Sequence, residues 1–316
     1  MPLGAIQASR SGRAQIRELL MTLCVAWVRV RKRTEELYMI ADSRFTCGDK
    51  IDGCPKLFPL ERGDCAIACA GVTEYSLPIA VHLQRSIELN IKSRTRAMDF
   101  FDQIHSVVGI VNKCLQSVRE AYPDENDPGP GFQMMMAGFS VKENRFVVRI
   151  IEYDKKEDKM FVHKASHLMG LPFGIIGDHG EGDANYVKRY RNALYRRLVG
   201  KQNVDMEPLE VLMDFIKDPS FNSIGGNPQM LKITKFLRVL PYGFYHGERD
   251  GHAVISYYGR NLLSYETFPF PIYDLESKEA FYMKGVLERF KRVHEEEKAL
   301  EVFKKARKKK NNDNQA

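Results

Sequence analysis

No stretch of this 316-residue chain stays apolar for long. The longest apolar stretches, such as Leu23 to Val28 and Met134 to Phe139, fall far short of the ~20 residues that a membrane helix needs, so no transmembrane span is expected. The first twenty residues carry Arg10, Arg13 and Arg17 but no apolar core followed by a small-residue cleavage site. They do not read as a secretory signal, and a cytoplasmic location is expected. Six cysteines (Cys24, Cys47, Cys54, Cys65, Cys69 and Cys114) include no Cys-x-x-Cys pair, which predicts reduced, buried or incidental thiols and argues against structural zinc. His105, His163, His167, His179, His246 and His252 show no metal-ligand spacing. A Gly-rich phosphate loop of the Walker type is missing, so any ATP hydrolysis would have to come from a partner protein, and no cofactor is expected. There is no internal repeat and no extended low-complexity segment.

What is present is a composition that is 44% apolar, enough for one large domain, or for a domain with an appendage. The net charge of +7 owes much to the tail from Lys304 to Lys310, a pattern typical of a solvated helix end, so nucleic acid is not the expected partner. A second basic segment holds Lys188, Arg189, Arg191, Arg196 and Arg197. Its Tyr186, Tyr190 and Leu194 recur at helical spacing and are expected to face the core instead of stacking on bases.

Along the chain, Leu23 to Val30 is rich in β-formers, a charged turn follows at Arg31 to Glu35, and Leu37 to Ala41 returns as an apolar run. Lys56 to Leu60 is expected to pair with Cys65 to Ala70 across Glu61-Arg62-Gly63-Asp64. Apolar periodicity predicts helices over Glu74 to Asn90 and Ala97 to Tyr122, closed by the Pro/Asp/Gly loop from Pro123 to Gly131. Strands are expected at Phe132 to Phe139, Arg145 to Tyr153, Met160 to His163, around Phe173 to Gly177, at Met230 to Leu240 and at His252 to Tyr258. Helices are expected at Asp183 to Leu198, Pro208 to Ile216 and, long and charged, Lys278 to Lys310. Segregated runs of strands and helices point to packed sheets flanked by helices and away from a parallel βαβ fold.

The hairpin spacing has a chemical consequence. A first turn centred near Lys32 sets Thr22 opposite Asp42, and a second turn near Arg62 brings Lys56 close to Ala70 and Gly71. Packing the two hairpins side by side would gather Thr22, Asp42, Lys56 and the Gly71 amide.

Four segments then resemble the β-type subunits of the proteasome, within the N-terminal-nucleophile (Ntn) hydrolases. Thr22-Leu23-Cys24-Val25-Ala26-Trp27 is similar to the mature start of such a subunit. Ala41-Asp42-Ser43-Arg44-Phe45-Thr46-Cys47-Gly48 resembles the family's Ala-Asp-Ser-Arg-x-Thr-x-Gly. Lys56-Leu57-Phe58 is similar to its catalytic Lys followed by two apolar residues, and Ala68-Cys69-Ala70-Gly71 to its oxyanion-hole strand end. The resemblance implies an α+β fold, a four-layer αββα sandwich over roughly residues 22 to 260 with a long charged C-terminal helix, and hydrolysis of an amide bond. Its divisions would be 1–21 as a propeptide, mis-called start or extension, 22–272 as the Ntn domain, and 273–316 as helix and basic tail. It implies Thr22 as nucleophile, Asp42 and Lys56 as charged partners, Arg44 as support and Gly71 as oxyanion donor. Thr46 would hold substrate backbone, and Phe45, Cys69 and Thr73 would shape the pocket. Downstream the pattern departs: Asp178, in Ile176-Gly177-Asp178-His179-Gly180, stands where the family has a Ser, and Ser223, in Asn222-Ser223-Ile224-Gly225-Gly226, is displaced by one residue, with Asp218 the nearest acid.

The chemistry requires a free amine at Thr22. An α-amine, with a reference pKa of ~7.7 to 8.0, is neutral often enough to take the hydroxyl proton, and a neighbouring lysine cation stabilises the developing alkoxide. Met21 directly precedes Thr22, so a start at Met21 followed by methionine removal would expose that amine. The resemblance thus implies a threonine peptidase acting on a peptide or protein, assembled as a homo-oligomer, with an ATPase or other protein as possible partner. The rival expectation is a non-catalytic assembly or binding module that keeps Met1 to Leu20. A small-molecule amidase is a third.

Overall fold

The computed structural model describes residues 22–32, 34–47, 49–121, 131–177, 185–266 and 268–283. Within them lie strands β1 (Leu23–Arg31), β2 (Thr34–Ala41), β3 (Phe45–Cys47), β4 (Asp49–Ile51), β5 (Leu57–Pro59) and β6 (Cys65–Gly71). Helices α1 (Thr73–Leu89), α2 (Ile91–Arg94) and α3 (Phe100–Ala121) follow. Next come β7 (Phe132–Ser140), β8 (Arg145–Asp154), β9 (Lys159–Lys164), β10 (Ser166–Leu168) and β11 (Leu171–Gly177), then helices α4 (Tyr186–Leu198) and α5 (Glu207–Lys217). The last strands are β12 (Gln229–Thr234), β13 (Arg238–Arg249), β14 (His252–Tyr257), β15 (Arg260–Asn261), β16 (Pro271–Asp274) and β17 (Ala280–Tyr282).

A ten-stranded sheet runs in the order β10-β11-β1-β2-β12-β13-β14-β15, with β16 joined to β13 and β17 to β16. A five-stranded sheet runs β5-β6-β7-β8-β9, and β3 and β4 form a separate ribbon. The pairings are antiparallel except that of β13 with β16.

Side-chain alternation sorts the buried residues into separate cores. On β6, Cys65, Ile67 and Cys69 join a core with α1 and α3, whereas Ala66, Ala68 and Ala70 enter one shared with residues of the larger sheet. On β1, Val25 and Trp27 pack with Tyr190, Leu194 and Leu212 of α4 and α5, while Cys24, Ala26 and Val28 face the shared core. The small residues there let the sheets approach closely. At Gly174 of β11 a Cβ would sit 2.5 Å from Met135 Sδ and 2.6 Å from a Val148 methyl, so a side chain at that position has no room.

The expected four-layer αββα sandwich with a long charged C-terminal helix is corrected by this architecture. Among the described residues antiparallel sheet dominates, with 42% strand against 26% helix in five helices. Where the long helix was expected to begin, Ala280–Tyr282 forms β17, paired with β16. Residues 284–316, the remainder of that expected helix and the basic tail, lie outside the described residues. Met230 to Leu240, expected as one strand, is a hairpin: Thr234 pairs with Arg238, and Leu237 turns the chain at φ 58°.

Candidate functional site

Asp42 follows the last residue of β2, and its carboxylate is surrounded by donors. Oδ1 accepts from the Lys56 ammonium at 2.8 Å and from Leu23 N at 3.1 Å; Oδ2 accepts from Arg44 N at 3.1 Å and Gly225 N at 3.2 Å. A carboxylate offers about four lone-pair sites, and all are engaged. Asp42 and Lys56 are both 0% exposed. Burying two charges is costly unless each is paired and the remaining sites are satisfied, and here both conditions hold.

The backbones of the pair are fixed by one side chain that the sequence reading missed. Gln229, at the start of β12, accepts from Lys56 N at 3.0 Å through Oε1, and its amide donates to Asp42 O at 3.1 Å and Cys54 O at 2.7 Å. The available signal was a lone amide at the head of the run Gln229-Met230-Leu231, but nothing local pointed to partners more than 170 positions away. Lys56 also stands beside the Phe45 ring, its ammonium 5.6 Å from the centroid.

Thr22, Phe45, Lys56, Cys69 and Gly71 line one narrow cleft, with Ser76 at its side. Its interior is about 10 Å³, which accommodates one water-sized group. Thr22 itself is 6% exposed. The hairpin registers differ by one from those expected: Cys24 pairs with Ala41, which places Leu23, not Thr22, against Asp42. Leu57 pairs with Ala68, and Lys56 O accepts from Cys69 N at 3.1 Å, so Lys56 lies across from Cys69 instead of Ala70. Gly71, the last residue of β6, adopts φ +98°, and a Cβ there would lie 2.4 Å from Gly131 O, so this position needs glycine.

Other expected site residues are dispersed. The Arg44 guanidinium is directed at Asp52, with bonds of 2.7 and 2.8 Å, and at Asn222 O at 3.1 Å, and so ties the β3–β4 region to the turn that follows α5. Ser223 is 2% exposed and its Oγ has no hydrogen-bond partner among the described residues. Thr46 pairs with Lys50 in the ribbon, and Thr73 opens α1. Asp218 sits at the exposed end of α5, where it accepts from Ser220 N at 2.8 Å. Asp178 lies outside the described residues. A second missed residue, Gln133, accepts from Gly177 N at 3.1 Å and donates to Glu152 at 2.7 Å, joining the two large sheets beside Thr22.

The electrostatics separate the cleft's nucleophilic atoms. Burial pushes the Cys69 thiol up to about 12 and holds the Cys24 thiol well above its ordinary range, so neither is a thiolate near neutral pH. The cleft therefore combines a desolvated ammonium, the Thr22 hydroxyl and the Gly71 backbone with one proton-bearing thiol, Cys69. Among the described residues no three His, Cys, Asp or Glu side chains converge as a metal site would require, and no helix is long and apolar enough to cross a membrane.

No protein-family model matches the chain, and no curated protein matches it. Among solved structures, the chain is similar to Anbu (ancestral beta-subunit) from Yersinia bercovieri, with 14% identity and a TM-score of 0.47 over 70% of this chain and 86% of that one. Similarity at that level assigns no activity.

Proposed function

We propose that the protein is an amide hydrolase of the threonine type, with Thr22 as its nucleophile once the residues ahead of it have been removed. The reading rests on one observation: a wholly buried ammonium, paired at 2.8 Å with an equally buried carboxylate, lines a cleft that Thr22 also lines. A buried lysine held charged beside a hydroxyl stabilises alkoxide character on that oxygen, and the freed α-amine supplies the base. Gly71 N–H is the oxyanion donor, a contribution of about 10² to 10³ in rate. Arg44 acts through the Asp42 loop, whose carboxylate accepts from its backbone N–H, and Asp178 and Ser223 are the remaining candidates to assist the amine. Phe45 and Cys69 shape the substrate cleft, with Thr46 assigned to hold substrate backbone and Thr73 to complete the pocket. The substrate is a peptide or protein, and the working form is a cytoplasmic homo-oligomer served by an ATPase or other partner.

Intact-mass measurement of the purified protein, before and after an epoxyketone that reacts with an N-terminal threonine, tests this reading. A species beginning at Thr22 that gains one inhibitor mass, and fails to gain it in Thr22→Ala, is the expected result. The second reading, a non-catalytic binding module retaining the residues ahead of Thr22, is favoured by the 6% exposure of Thr22 and the water-sized cleft. A full-length mass with no adduct, under conditions that modify a proteasome control, would establish it instead.

A further inference from the structure

Another opening among the described residues lies at the other end of the strands. β7 runs from Phe132, paired with Gly71 at the candidate site, to Ser140, paired with Arg145. Eight strand steps separate those ends, roughly 26 Å. At the far end β9 leaves the sheet after Lys164, its partner there being Arg149. The outer edge of Arg145 to Val148 is consequently paired with no strand among the described residues.

A cavity of about 150 Å³ occupies this corner, lined by Arg145, Arg149, Lys164, Ser166 and His167 together with the unpaired strand edge. The register sets Arg149 directly across from Lys164. Like charges in that relation repel, and a sheet tolerates them poorly without a counter-charge. Neither has a carboxylate partner among the described residues. The Arg149 guanidinium lies over the Phe101 ring at 5.2 Å and, among the described residues, donates to Val148 O at 3.0 Å. Arg145 is paired at the exposed rim with Glu143, whose charge also acts on Arg149 without forming an ion pair with it. The corner thus joins a cavity, two cations set across from each other in the register with no ion-pair partner among the described residues, and a strand edge with unused backbone groups.

We propose that this corner is a binding site for a small oxyanion, a phosphate or carboxylate group, held between Arg149 and Lys164. A guanidinium with one face covered by an aromatic ring still presents its N–H edge, the geometry that grips planar or tetrahedral oxyanions. The cavity size suits a small phosphoester or dicarboxylate, not a folded partner.

Isothermal titration calorimetry of the full-length protein with inorganic phosphate, and separately with malonate, tests the site. Saturable one-to-one binding of at least one anion is expected, and the tighter of the two identifies the natural head group. Arg149→Met and Lys164→Met should each weaken it by at least about tenfold, as loss of one charge-assisted contact implies. Lys188→Met on α4 removes the same charge elsewhere and should leave binding intact. Absence of binding by both anions overturns the proposal, as does equal weakening by Lys188→Met, which would mark a diffuse charge effect. Lys164 is exposed, so its variant carries the test should Arg149→Met fail to fold.

Discussion

Lys56 donates to Asp42 across 2.8 Å with neither side chain reaching solvent, and three backbone amides complete the carboxylate's shell. Removing one member leaves the other charge buried and uncompensated. Lys56→Met and Asp42→Asn should therefore each destabilise the fold by about 3 to 5 kcal/mol, read from urea unfolding. The double variant should cost clearly less than their sum, because it leaves no stranded charge. Additive losses would show that the pair is not coupled.

Gln229 holds both backbones of that pair, so its loss should be felt in two places. Gln229→Leu keeps the bulk but leaves Lys56 N, Asp42 O and Cys54 O without their partner. Each buried group abandoned in this way costs about 1 to 3 kcal/mol, and a total of at least ~2 kcal/mol is expected in equilibrium unfolding. Gln229→Glu retains the acceptor for Lys56 N yet turns an anionic oxygen toward two carbonyls, and should be worse than Gln229→Leu. The reverse order would mean that the amide merely fills space.

The first hairpin was legible in the sequence because β-forming residues flank a charged turn, and the order Thr22, Asp42, Lys56, Gly71 follows from it. The register was off by one because the two-residue turn that closes Arg31 on Thr34 places its centre between residues, with Lys32 at φ 48°. The hairpin within Met230 to Leu240 was missed for a related reason: Lys235-Phe236-Leu237 contains no glycine or proline, and Leu237 adopts the left-handed region without a sequence signal. Charges at helical spacing suggested one long terminal helix, whereas pairing with the edge of β16 takes Ala280–Tyr282 into a sheet. Gln229 and Gln133 act through contacts 19 to 187 positions distant, which no local pattern encodes. The anion corner was equally hidden, since it depends on where β9 stops pairing.

The last prediction concerns Cys69, which lines the cleft beside Lys56 yet is 6% exposed. Burial pushes its thiol up to about 12, whereas an unfolded cysteine titrates at about 8.5. Between those values the unfolded chain has lost the proton that the folded chain retains, so the unfolded state binds fewer protons and stability falls as pH rises. The stabilisation is whole below ~8.5 and declines through the interval up to about 12. Unfolding free energy measured against pH should show that alkaline decline, and Cys69→Ser should make it shallower by removing one titrating thiol. The same protonation should keep Cys69 slow to react with iodoacetamide near neutral pH, with its rate climbing as the solution becomes alkaline. Peptide mapping of the alkylated protein reads this directly. Modification of Cys69 at the rate of a free thiol in neutral buffer would show that the cleft opens to solvent far wider than one water-sized group.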